Sequence, residues 1–168
     1  MNIILQSSSY TLRKSKSLLN RITDNQLSDH SVPPYFSCIG SHVRHILDFY
    51  DCILDGIASK KIDLTTRKRD ERLHGDSSYA LKHLERIINA IHNIDADSLN
   101  QGFLVTDDLG LGCVTIEYKL GAILAQANSH TIERVDKREM NMVEVGNISK
   151  GIIFYLSNGQ ISDTSTTC

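Results

Sequence analysis

Apolar residues recur at three- and four-residue intervals through Ile39, Val43, Ile46, Leu47, Tyr50, Ile53, Leu54 and Ile57, the spacing of one buried helix face. This pattern predicts a helix over 38–58, with Ser37 as its N-cap. A weaker stripe of Ile4, Tyr10 or Thr11, Leu18 and Ile22 predicts a first helix over 2–24, closed off by a loop holding Pro33-Pro34. Ala80, Leu84, Ile87, Ile88, Ile91 and Ile94 predict a third helix over 76–94. A fourth begins near Thr115, with Ile116, Leu120, Ile123, Leu124, Ala127, His130 and Thr131 at helical spacing. The glycine-rich segment 102–113 between them reads as a loop or short hairpin. Farther on, Val143-Glu144-Val145 and the run 152–156 look like strands, with the tight-turn dipeptide Asn158-Gly159 after them. The expected architecture is an all-α four-helix bundle over 1–140, with a divergent β-like or disordered appendix over 141–168.

Polar residues on the second helix give that picture its chemistry. His42 and His45 stand three apart, about 60° from each other around the axis, and both border the apolar face. A chain of 168 residues fits one domain, and its net charge of −2 gives no electrostatic case for nucleic acid. The four cysteines, Cys38, Cys52, Cys113 and Cys168, form no C-x-x-C pair, which points to reduced thiols in a cytoplasmic setting rather than to a disulfide framework. No apolar run approaches a membrane span, and no signal-peptide core is present. The first 23 residues carry Arg13, Lys14, Lys16 and Arg21 but no acid, a transit-peptide composition. Their apolar stripe favours the first helix of the bundle instead.

The stretch Ser37-Cys38-Ile39-Gly40-Ser41-His42-Val43-Arg44-His45-Ile46-Leu47-Asp48 resembles the second-helix signature of the DinB-like superfamily of four-helix-bundle metalloenzymes, in a bacterial-type branch of it. Ile62-Asp63-Leu64-Thr65-Thr66-Arg67-Lys68-Arg69-Asp70 resembles the loop that follows in that branch. Ser129-His130-Thr131-Ile132 matches the start of its His-Thr-Ile-His-His motif. The resemblance implies up-down-down-up helices, a homodimer, a small-molecule substrate, and thiol-dependent transferase or related chemistry. It also implies a divalent metal, zinc or nickel, held by three histidines. Carried across, His45 and His130 are two of the ligands, and the third position is occupied by Arg134, with Glu133 where the motif has its intervening histidine. A guanidinium has no lone pair to offer a metal. The site is therefore incomplete unless His42, close to His45 on the same helix, or Glu133 supplies the third donor.

Other residues carry plainer expectations. The run 67–72 reads either as a functional cluster at the bundle mouth or as a solvated loop of mixed charge. Arg44 and Asp48 are spaced to pair, Cys38 and Cys52 to be packed thiols. His30, His74, His83 and His92 have no ligand spacing with one another and are expected at the surface. The alternative to an enzyme is a non-catalytic bundle that keeps the fold and has lost its metal.

Overall fold

The computed structural model describes residues 2–31 and 36–145, with side chains through residue 132. The apolar stripes become α1 (Ile3–Leu19), α3 (Ile39–Gly56), α5 (Ser77–His92) and α6 (Leu120–Val145), joined by the short α2 (Asp24–Leu27) and α4 (Arg72–Gly75). Three of the long helices start where a side chain accepts one of their orphan amide hydrogens: Asn2 for α1, Cys38 for α3 and Asp76 for α5. α2 opens on a capping box, with Thr23 and Gln26 satisfying each other's backbone. The N-cap of α3 is thus Cys38 rather than the expected Ser37.

α1 packs on α5 and α6, and α3 packs on the same two helices, so four long helices surround one core. Leu5, Leu12, Leu47, Tyr50, Ile53, Leu84, Ile91 and Leu124 are all buried there, each contributing about 1.5–3 kcal/mol of apolar transfer. Burial pushes the Tyr50 phenol up to about 12. The inner face of α1 also carries Ser8, Ser9, Thr11 and Ser15, all buried, while Tyr10 points out.

The all-α expectation is overturned by a three-stranded sheet in the order β1-β2-β3. β1 (Lys61–Asp63) runs parallel to β2 (Gly102–Asp108), which pairs antiparallel with β3 (Cys113–Lys119). The fold is mixed α and β. Segment 102–113, expected as a loop or hairpin, is one strand and its turn, and 115–119 is strand rather than the start of the fourth helix. Alternating β-branched and aromatic residues at Val114, Ile116 and Tyr118 favour an extended chain, and Gly110 and Gly112, at φ of +85° and +139°, close the turn. Ile62, Phe103 and Val105 face inward and seal one side of the core.

A second correction concerns the end of the chain. α6 continues through the charged run 133–139 and through Val143-Glu144-Val145, expected as strand. The domain boundary expected at 140 therefore falls inside a helix. The strand and turn expected at 152–159 lie outside the described residues. No described helix is long and apolar enough to cross a membrane.

Two glycines set how closely elements approach. A Cβ on Gly40 would stand 2.9 Å from the Cα and 2.7 Å from the carbonyl carbon of His74, so α4 lies directly against the first turn of α3. At the other end of α3, Gly56 meets the backbone of Ile62, where a Cβ would lie 2.9 Å from Cα, which lets the chain fold straight back into β1.

Candidate functional site

His45 on α3 and His130 on α6, 85 positions apart in sequence, meet with their Nε2 atoms 2.9 Å apart and their rings at 62°. Both are half-buried. Phe49, one turn beyond His45, lies tilted against the His130 ring at 6.2 Å. Arg67, in the loop after β1, completes the group. Its Nε donates to the Leu64 carbonyl at 3.0 Å, its Nη1 reaches His45 Nδ1 at 3.2 Å, and its guanidinium carbon stands 5.9 Å from the Phe49 ring centre.

The contact with Arg67 assigns the tautomer. A guanidinium only donates, so His45 Nδ1 is the acceptor and the neutral ring carries its proton on Nε2. That proton is donated to His130 Nε2, giving the relay Arg67 to His45 to His130. A metal ion needs the His45 Nε2 lone pair that this arrangement uses to hold a proton. The donor set as it stands does not fit the expected three-histidine centre.

Among the described residues, His42 does not repair it. His42 pairs its Nε2 with Ser37 Oγ at 2.8 Å, and among the described residues no group of three converging His, Cys, Asp or Glu donors includes it. The backbone of α6 passes through 133 and 134 as helix, while the side chains of Glu133 and Arg134 lie outside the described residues.

Among the described residues one group of three donors does converge, and it is a different one. His30, between α2 and α3, Cys38 at the start of α3 and His74 on α4 bring their ligand atoms within 4.8 Å of one another, a set able to hold a metal ion. His30 and His74 were expected to be unrelated surface residues. They lie 44 positions apart, with Nε2 atoms 3.0 Å from each other. No spacing in the sequence signals such a pair, because it is made by the close approach of α4 to α3 at Gly40.

The run 67–72 is neither a free loop nor a single cluster. Lys68 pairs with Asp55 at 2.7 Å. Asp70 accepts from Arg72 and from the Tyr79 hydroxyl at 2.8 Å, and these donors hold its carboxyl well below the usual range. Arg72 stacks on the Tyr79 ring at 4.1 Å. Arg44 pairs with Glu71 rather than with Asp48.

Between α3 and the β1 segment a cleft of about 210 Å³ is lined by Asp48, Asp51, Cys52, Asp55, Asp63 and Lys68, among others. Burial raises the Asp48 carboxyl despite the nearby Arg44 charge and pushes the Cys52 thiol up to about 11. Asp51, buried to the same degree, goes the other way. Desolvation works to raise it, but its hydrogen bond to His83 at 2.6 Å and the charges of His83 and Arg86 together bring it below the usual carboxylate range. His83 is therefore a partner of a buried acid rather than a free surface residue.

No family model, no curated protein and no solved structure matches this chain.

Proposed function

We propose that this chain is a non-catalytic relative of the DinB-like metalloenzymes, in which the His45–His130 pair serves as a hydrogen-bonded strut between α3 and α6. The observation that carries this is the Arg67 guanidinium 3.2 Å from His45 Nδ1. It commits the His45 Nε2 to a proton, and it adds a fixed positive charge where a dication would have to bind. Arg134, at the position the resemblance gives to the third histidine, supports the same conclusion from the other side. Two imidazoles hold a divalent ion far less tightly than a complete three-ligand set.

The competing proposal is a metal-dependent enzyme acting on a small-molecule substrate, as a homodimer. It draws on the 2.9 Å approach of the two rings, and requires Arg67 to release Nδ1 so that His45 can turn its lone pair to a metal. Long-range proton–nitrogen NMR spectra separate the two. The strut reading expects His45 as the Nε2–H tautomer, unchanged by zinc or nickel. A zinc-induced switch to the Nδ1–H tautomer, with stoichiometric binding that is lost in His45→Gln, would refute it and favour the enzyme.

A further inference from the structure

We propose that His30, Cys38 and His74 form a zinc site, separate from the His45–His130 pair, that clasps the segment entering α3 to α4. The three ligand atoms lie within 4.8 Å of one another, and an independent feature shows which ring atoms face the ion. His30 Nδ1 is 2.8 Å from the Phe36 carbonyl oxygen, and His74 Nδ1 is 3.4 Å from Glu71 Oε2. Both of those partners only accept, so each neutral ring keeps its proton on Nδ1 and turns a bare Nε2 inward. Two lone pairs then face each other at 3.0 Å, an arrangement that repels unless a proton or a metal cation sits between them.

This is the reverse of the His45–His130 pair, where an arginine donor forces the opposite tautomer and a proton already fills the gap. Fixing a ligand imidazole through its outer nitrogen, by a carbonyl or a carboxylate, is also how metal-bound histidines are oriented. Cys38 adds the third donor. Its side chain is buried, and its sulfur is already placed by the Ser41 amide at 3.2 Å.

The donor set selects the metal. Two imidazoles and one thiolate suit zinc, whereas magnesium and calcium take oxygen ligands. Zinc bonds of about 2.0–2.1 Å to nitrogen and 2.3 Å to sulfur set tetrahedral ligand atoms about 3.3–3.6 Å apart. The two rings therefore part by a few tenths of an ångström, and the thiol, already within 4.8 Å of both, draws closer. Binding releases the Cys38 thiol proton. His30 is exposed, so water can reach the site.

The test is zinc and cobalt titration of the full chain after chelator treatment, in competition with a chromophoric chelator. The expected result is one equivalent of zinc, and a cobalt complex with a thiolate-to-cobalt charge-transfer band. Cys38→Ser should remove that band while keeping the helix cap, since serine is itself a good N-cap. Cys38→Ser and His74→Gln should each weaken zinc at least 100-fold, with unchanged circular dichroism. His45→Gln should leave both zinc affinity and the cobalt spectrum as they are. The proposal is overturned if the chain takes up no stoichiometric zinc, if the cobalt complex lacks the thiolate band, or if Cys38→Ser and His74→Gln bind as tightly as wild type. Loss of zinc in His45→Gln alone would overturn the strut reading as well.

Discussion

Replacing Gly40 by alanine tests whether the close seating of α4 on α3 matters to the fold. The new methyl would overlap the His74 carbonyl oxygen and lie 2.7 Å from its carbon, where ordinary contact starts at 3.4 Å, so α4 must retreat by well over about 0.7 Å. Leu73, fully buried beside it, contributes about 1.5–3 kcal/mol, and a gap of that size forfeits a quarter to a half of its dispersion contact. Strain from overpacking adds about 1–3 kcal/mol, and the better helix propensity of alanine returns about 1 kcal/mol. The net loss is about 2 kcal/mol, read in urea as a fall of about 1 M in the unfolding midpoint at a slope near 2 kcal/mol/M. Gly75→Ala is the matched control, because a Cβ there meets nothing within 4 Å; it should be neutral or slightly stabilising. If Gly40→Ala unfolded at the wild-type midpoint, the packing of α4 described above would be wrong.

Two aspartates on α3 should respond oppositely to substitution. Asp51→Asn breaks the buried contacts with His83 and Arg86 and should cost about 1–3 kcal/mol near neutral pH, discounted because Arg86 is half exposed. The folded-state pKa of Asp51 is lowered, so its contribution is present above the unfolded carboxylate value of about 3.9 and is lost as pH falls through the folded one. The wild-type advantage over Asp51→Asn should shrink in urea unfolding as pH drops below 4, and a constant difference would contradict this. Asp48 has a folded-state pKa raised by burial, so its ionisation opposes folding once pH rises past the unfolded value. Asp48→Asn should be neutral or stabilising by up to about 1 kcal/mol near neutral pH, and a loss beyond that would show the charged form to be required.

What the sequence made legible follows the strength of the periodic signal. The stripes of α3 and α5 are long and apolar, and both helices appear where the pattern puts them. The weaker stripe of α1 predicts a helix over 2–24 and the helix stops at Leu19; serines at 8, 9 and 15 occupy buried positions that a hydrophobic stripe cannot reveal. The error at β3 has a definite cause: Ile116 stands four residues before Leu120, so a residue of the strand fits the helical period of its neighbour. The meeting of His45 and His130 is what the family resemblance implies, and the apolar stripes place both beside packed helix faces. The gathering of His30, Cys38 and His74 was not, since it depends on a glycine contact between segments with no shared periodicity. The role of Arg67 was equally hidden, as a charged residue in a mixed-charge loop gives no sign that it will fold inward.

β3 passes into α6 with no residue between Lys119 and Leu120, and the strand is locked to β2 by seven pairs from Gly102↔Lys119 to Asp108↔Cys113. The hairpin therefore acts as a clock for the helix: whichever residue leaves the ladder last sets the angle at which all of α6 begins. An extra residue in the turn 109–112 lies beyond the paired positions and leaves that angle alone. One inserted at the junction instead turns the whole helix by about 100°, carrying His130 away from His45 and Ile123, Leu124 and Ala127 off the core. The same short strand is thus free to vary in length at its entrance and fixed to the single residue at its exit.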